Sequence, residues 1–456
     1  MQRYDVAIVG GGPAGLAAGR AAAASDADAV VLEKGVPRED RSEPGPDSTD
    51  AAGLLDYWVD IAGLDPDEIP EEVILQDIDR AEFIGPSESV VVDRTGMDGS
   101  YPHFGFTFDR VAMDDWLRER AETAGATYRG ETSVREVTSD LTGTPEHRLT
   151  LGDGSDLVAD TLILADGPQR QVTNAVLDRY LPAGESITTY LGTRTANHIA
   201  YQEHRRLPAD AFEPNSMKFW WGAIPGETAY PWIFPNDDGV ARVGLTMPIG
   251  LTMADIDNPT DYWLVDPDDE ELPSPQTYLE RLLSRVYPAY EPADFELVED
   301  RGKRRGTETY AISSTRPIDS PTAAGIAVVG GAMGATSAFH EGGDHVAIRT
   351  GAIAGELAAR DRLKRYNDAW KDAIGAEVLR NVAFADLVSD YTPADWDRAF
   401  RMTRKLKATD TEGRVLSPRL SAGIRGLKLY AQYRLRKRRY RDGGYVQLPE
   451  SAYTLS

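Results

Sequence analysis

Cysteine is absent from the 456 residues. That excludes disulfides, thiolate-ligated zinc, Cys-ligated iron–sulfur clusters and thiol nucleophiles, and no other metal-ligand set is assigned. No window reaches the roughly 18 uninterrupted apolar residues of a transmembrane span. The N-terminus has no signal-peptide pattern, so the expected location is cytoplasmic. Lysine is scarce: nine of the 49 basic residues, set against 74 acidic ones for a formal charge of −25. Residues 401–456 hold 14 Lys+Arg and 4 Asp+Glu, which leaves −35 on the remaining 400. Such a surface repels nucleic acid, and no nucleic-acid partner is expected. An acidic, lysine-poor surface is typical of proteins from a salt-rich cytoplasm. Hydrophobic residues at 41% support a sizeable core, and at roughly 150 residues per domain the length suggests about three domains.

What is present begins at the N-terminus. Residues 4–9 (Tyr-Asp-Val-Ala-Ile-Val) read as a buried strand, Gly10-Gly11-Gly12-Pro13-Ala14-Gly15 follows, and residues 16–24 are an Ala-rich helix. Gly10-x-Gly12-x-x-Gly15 thus stands between strand and helix, the context a dinucleotide fingerprint requires. Gly10 makes the turn, Gly12 lets the backbone approach a pyrophosphate and Gly15 lets helix and strand close up. Residues 29–32 form a second strand ending in Glu33, 23 residues after Gly10, a spacing that suits a ribose-hydroxyl acceptor. At this point FAD and NAD fit equally.

Three later stretches narrow the choice: Phe108-Asp109-Arg110-x-x-Met113-Asp114, then Leu164-Ala165-Asp166-Gly167, then Val329-Gly330-Gly331-Ala332-Met333-Gly334 with Phe339-His340-Glu341-Gly342-Gly343. Together they resemble the flavoprotein group that includes p-hydroxybenzoate hydroxylase, which implies FAD. The resemblance places Arg110 near the flavin nucleotide, and the Asp166-Gly167 turn and Gly330, Gly334, Gly342 and Gly343 beside the cofactor, with a helix starting at 344. The group has an Asp on the ribityl chain where this sequence has Gly331.

Residues 217–247 contain Phe219-Trp220-Trp221 and then Tyr230-Pro231-Trp232-Ile233-Phe234-Pro235, a turn at 236–239 and a strand from Val240. Alternation puts Tyr230, Trp232 and Phe234 on one strand face. By density alone, core packing accounts for these aromatics. The pattern Tyr-x-Trp-x-Phe-Pro followed by Gly244, with Thr246 at the second glycine, is similar to the geranylgeranyl reductase family. That resemblance makes Phe219, Trp221, Tyr230, Trp232, Phe234 and Pro235 candidates for lining a channel for an apolar isoprenoid or lipid chain. Some relatives carry a redox-relevant Cys where this chain reads Pro44-Gly45-Pro46-Asp47-Ser48-Thr49, so a mechanism needing that thiol is excluded.

The expected fold is α/β plus α+β. A Rossmann-type FAD-binding domain is built from 1–79, 104–180 and 300–360, and an inserted antiparallel-sheet substrate domain from 80–103 and 181–299. Residues 361–456 form a helical C-terminal region with a basic tail. In that tail Ile424, Leu427, Ala431 and Leu435 form one stripe among many Arg and Lys. It can rest on an anionic membrane, as a peripheral contact at the inner face, or on the protein's own acidic body. The family resemblance implies an FAD-dependent reductase of geranylgeranyl-type double bonds in archaeal-type membrane lipids or related polyprenyl compounds. His340, Glu341 and Tyr230 are the candidate proton donors. The electron donor (reduced nicotinamide, ferredoxin or similar) is named by no motif. An FAD monooxygenase of the same fold group and a non-catalytic flavoprotein stand as alternatives. An electron-transfer flavoprotein dehydrogenase would need a Cys-ligated cluster.

Overall fold

The computed structural model describes residues 1–36, 52–191, 197–302, 304–312, 315–409 and 423–454. The 44–49 loop lies outside them. The fold is mixed α/β, with its strands in three sheets.

The first sheet holds Thr127–Arg129, Ala29–Leu32, Gln2–Val9 and Asp156–Leu164 in parallel order. The end of Asp156–Leu164 also pairs in parallel with Ile326–Val328, its start pairs antiparallel with Glu146–Leu151, and Glu146–Leu151 pairs antiparallel in turn with Val134–Asp140. All four residues of Ala29–Leu32 are buried. A parallel strand covered on both faces reads as a continuous apolar run rather than an alternating one, and Ala-Val-Val-Leu is such a run. Helices Pro13–Ala23 and Asp344–Ala359 pack side by side on this sheet. Small residues set their separation: a Cβ on Gly351 would lie 1.9 Å from the Ala14 carbonyl oxygen, and one on Gly355 would lie 2.1 Å from that of Ala18.

The second sheet has eight strands, centred on His198–Arg206, Val240–Pro248, Tyr230–Pro235 and Ser216–Trp220. It is antiparallel except where Ser216–Trp220 runs parallel to Arg80–Ile84, because two separate chain segments meet there. Thr307–Ile312 also pairs with His198–Arg206, so the chain stays in this sheet past residue 299, where the return to the first layer is expected. Gly105–Phe108 forms a third sheet, between Gly53–Leu55 and Ile74–Ile78. The turn at 236–239 closes a hairpin, with the Asn236 N–H donating to the Val240 carbonyl at 2.8 Å. One face of Tyr230–Pro235 gives Tyr230, Trp232 and Phe234 to an aromatic cluster. The other gives Ile233 to a core with Val243, Leu245 and helix Pro275–Val286.

Candidate functional site

The glycines at 10–15 act through close approach. A Cβ on Gly15 would lie 1.8 Å from the Gly10 carbonyl oxygen, and one on Gly10 would lie 2.3 Å from that of Ala165. Gly10 has φ +109°, open to glycine and strained for other residues. Gly12 faces open space. It caps helix Pro13–Ala23 with no side-chain acceptor, and Pro13 occupies the first turn where no N–H is needed. The first amides of this helix are thus left for a ligand, and their partial positive charge suits a phosphate. Glu33 accepts from the N–H groups of Gly11 at 2.6 Å and Gly35 at 2.7 Å, which holds its carboxylate at the rim of the turn.

Other helix starts differ. Asp109 caps Arg110–Thr123 through the N–H groups of Val111 at 2.8 Å and Ala112 at 3.0 Å. Asp166 accepts from the N–H of Val172 at 2.7 Å, the N–H of Thr173 at 3.0 Å and the Thr173 hydroxyl. Its carboxyl, raised by burial, therefore serves as a cap for helix Gln171–Leu177, while Gly167 at φ +73° makes the turn expected beside a cofactor. Arg110 is buried and reaches Asp114 at 3.0 Å and Asp344 at 3.5 Å. It ties the second strand–helix junction to the start of helix Asp344–Ala359, whose cap Gly343 also lacks a side-chain acceptor.

The distant motifs converge. A Cβ on Gly330 (φ +58°) would lie 2.9 Å from the Cβ of Ala14. Gly334 (φ +80°) would crowd Thr315 Oγ1 at 2.9 Å, and Gly331 would press on Pro168 Cδ at 3.3 Å. Pro168 thus occupies the flank where the group's Asp side chain would begin. Arg170, which sequence reasoning missed, joins these turns: fully buried at φ +50°, it donates from Nε to the Ala332 carbonyl at 2.8 Å. Burial lowers its guanidinium to about 10. The Gly342 carbonyl accepts from the Ser337 N–H at 3.0 Å, closing the 337–343 loop.

In the second sheet, Trp221, Tyr230, Trp232 and Phe234 are buried and Phe219 is half-buried. Trp221 stacks on Tyr230 at 4.4 Å and on Phe339 of the 337–343 loop at 5.3 Å, and lies 4.5 Å from Trp396 of helix Pro393–Thr409. Gly244 is required by Trp232, because a Cβ there would lie 2.5 Å from the indole. The Pro235 carbonyl accepts from Thr107 Oγ1 at 2.7 Å, and Arg242 Nη2 donates to the Phe108 carbonyl at 3.1 Å. These bonds bind the aromatic sheet to the strand that leads into Arg110.

The three candidate proton donors meet in one place. The Tyr230 hydroxyl donates to the His340 carbonyl at 2.7 Å. The His340 ring accepts from the Gly342 N–H at 3.2 Å, and burial lowers it to about 3, so it is neutral. Glu341 sits at φ +58° with a 3% exposed side chain. It accepts from the Thr246 hydroxyl, from the Thr228 hydroxyl at 3.2 Å, and lies 3.5 Å from His198 Nε2. Burial raises its carboxyl. Trp58 and His345 were also missed. Trp58 stacks against both His340 at 4.7 Å and His345 at 4.3 Å, and the two histidine rings lie 6.2 Å apart. Neither Trp58 Nε1 nor either His345 nitrogen has a hydrogen-bond partner. His345 also lines a cavity with Ser337, Glu377 and Asn381 behind the loop. No sequence spacing links these side chains; they come from separate elements. Open space over Gly12, two uncapped helix starts and orphaned polar atoms beside the 334–343 turn fit an extended dinucleotide carrying a planar ring.

The tail helix, Gly423–Arg439, lies on helix Tyr366–Val388: Tyr433 stacks on Phe384 at 4.6 Å, and Arg436 reaches Asp386 at 3.1 Å. Leu435 is 68% exposed and Ala431 is exposed, so this part of the expected stripe faces away from the body. The Ile424 and Leu427 side chains lie outside the described residues. No described helix is long and apolar enough to cross a membrane.

No family model matches the chain. Among curated proteins it is 25% identical over 414 residues to digeranylgeranylglycerophospholipid reductase 2 of Methanothermobacter thermautotrophicus, covering 88% of this chain and 91% of that one. Among solved structures it is similar to a geranylgeranyl bacteriochlorophyll reductase-like protein from Thermoplasma acidophilum, with TM-score 0.67, 20% identity and coverage of 97% and 99%. An anhydrotetracycline hydroxylase from Streptomyces rimosus shares the fold at TM-score 0.54 and 18% identity, over 91% and 75%. One architecture thus carries several chemistries, and the site must separate them. With the Tyr-x-Trp-x-Phe-Pro strand seated on the 337–343 loop and Ala14 of the fingerprint set against Gly330, the chain resembles the geranylgeranyl reductases among the FAD-dependent oxidoreductases.

Proposed function

We propose that this enzyme binds FAD and saturates geranylgeranyl-type double bonds in archaeal-type membrane lipids or a related polyprenyl compound. The observation that carries the reading is the junction itself. The loop that closes the nucleotide cradle is bonded through the His340 carbonyl to Tyr230 of the aromatic strand. A cofactor held by residues 10–15, Glu33, Arg110, the 166–167 turn, Gly330, Gly334 and residues 342–343 would then share one wall with an apolar chain beside Phe219, Trp221, Tyr230, Trp232, Phe234 and Pro235. Reduced FAD, when bound, supplies hydride. The chain's own residues supply position. An isolated alkene offers no charge for recognition, so apolar contact and exclusion of water by the aromatic stack carry the orientation. The curated relative's name supports a glycerophospholipid carrying two such chains. The basic tail, with Leu435 outward, suits a peripheral approach to anionic lipid.

The test uses purified protein loaded with FAD, reduced without oxygen and given a digeranylgeranylglycerol phospholipid. Flavin reoxidation with a gain of two hydrogens per saturated bond, read by mass spectrometry, is expected. Turnover only with oxygen, inserting an oxygen atom, would replace this reading with the monooxygenase.

A further inference from the structure

We propose that Glu341 is the proton donor of the reaction, that Thr246 and Thr228 aim its carboxyl group, and that His198 reloads it from solvent. This rests on the reductase reading above.

Saturating one double bond requires a hydride on one carbon and a proton on the other. Reduced FAD, when bound, would supply the hydride. The proton needs an acid at the border of the flavin loop and the substrate sheet, and three side chains stand there. Tyr230 is a poor choice: its hydroxyl is committed to the His340 carbonyl, and burial raises its phenol well above its usual 10. His340 is neutral, its Nδ1 already accepts from Gly342, and its Nε2 faces Asn381 at 3.4 Å, away from the sheet. Glu341 remains. Its carboxyl is enclosed by Thr246 from strand Val240–Pro248, Thr228 from the turn before Tyr230 and His198 from strand His198–Arg206. The titratable groups facing it are His198, His340 and Tyr230. With no Lys or Arg among the described residues in contact with it, a buried carboxyl favours its neutral, proton-bearing form.

Thr246 is the informative residue. It stands where the family pattern has its second glycine, directly opposite Tyr230 in the sheet register. A glycine there offers no hydroxyl. In this chain the hydroxyl is spent on Glu341, so the departure from the pattern and the acid in the loop are one arrangement. The supply side is also built. His198 Nδ1 lies 2.9 Å from the Asn197 amide nitrogen, which sets Nδ1 as acceptor and puts the ring proton on Nε2. Nε2 lies 3.0 Å from the Glu227 carbonyl oxygen and 3.5 Å from Glu341. In the step, the Glu341 O–H bond breaks as the second C–H bond forms, leaving a carboxylate. His198 takes up a solvent proton at Nδ1, where it gives up the Asn197 contact, and passes its Nε2 proton to that carboxylate, returning to a neutral ring.

The experiment compares wild type with E341Q, T246G, T246S and H198Q as full chains loaded with FAD. Each is reduced by dithionite without oxygen and mixed with the digeranylgeranyl phospholipid in detergent. E341Q is expected to slow substrate-driven flavin reoxidation by about 100-fold or more, the scale of general-acid catalysis, with FAD affinity and dithionite reduction unchanged. T246G, which removes a donor to the carboxylate, is expected to move the alkaline fall of the rate to higher pH, with T246S restoring it. H198Q slows multiple turnover more than the first. Infrared spectra of the FAD-free chain should show a protonated-carboxyl band that E341Q removes. E341Q turning over at the wild-type rate, or T246G leaving the pH profile unmoved, overturns the assignment of Glu341 alone. Wild type that binds FAD and leaves the prenyl chain unsaturated overturns the reading beneath it as well.

Discussion

The proposed nucleotide cradle and the aromatic junction lie against the same loop but are made of different material. The cradle is backbone. Gly10, Gly15, Gly330, Gly351 and Gly355 leave no room for a Cβ, and the groups it offers are amides at helix starts without a side-chain cap. The junction is side chains: Trp58, His198, Thr228, Tyr230, Thr246, His340 and Glu341, drawn from separate elements. A cradle made of backbone announces itself in sequence, because only glycine permits it. A junction made of side chains can change one partner at a time, as Thr246 shows.

The comparison can be broken at either end. The largest effect is expected from G15V, which drives a branched side chain into a carbonyl oxygen that a Cβ alone would meet at 1.8 Å. Loss of about 3 kcal/mol or more and of all bound flavin should be visible in the melting curve and the absorbance spectrum. Next comes acid titration of the intact fold. His147 is buried and lowered to about 4, and His340 to about 3. Both bind protons more readily unfolded than folded. Their stabilisation is therefore complete above about pH 6.5 and lost as pH falls toward those values, on the order of 3 kcal/mol for His147. H147N should flatten that decline in denaturant midpoints between neutral and acid pH. A smaller and more local effect is expected from G244A, whose Cβ would press on the Trp232 indole at 2.5 Å. FAD binding should survive, while turnover of the prenyl substrate falls roughly tenfold, about 1.4 kcal/mol in the barrier. Full activity in G244A would show that Trp232 is core and nothing more. The smallest belongs to R436A: the Asp386 pair is partly exposed, so under about 1 kcal/mol is expected, read as a slight drop in melting temperature.

Much of the fold was legible because local chemistry and tertiary role agree. Strand Ala29–Leu32, helix Asp344–Ala359 and the 236–239 hairpin turn fall where apolar runs and turn residues put them. Thr307–Ile312 was not legible as part of the second sheet, since its partner His198–Arg206 lies about a hundred residues earlier. Nor was the duty of Asp166: an Asp-Gly turn reads the same whether its carboxylate meets a ligand or caps the next helix, and here it caps.

The order of residues by itself determined the glycine-lined turns, the buried strand that precedes them and the aromatic alternation on Tyr230–Pro235. Each depends on conformational freedom or a period of a few residues, which neighbours along the chain express. Only the tertiary structure decided that Pro168 fills the flank of Gly331, that Arg170 joins two remote turns, and that Thr246 answers Glu341. Those facts rest on contacts a few ångströms long between positions far apart in sequence. No local pattern encodes such a meeting.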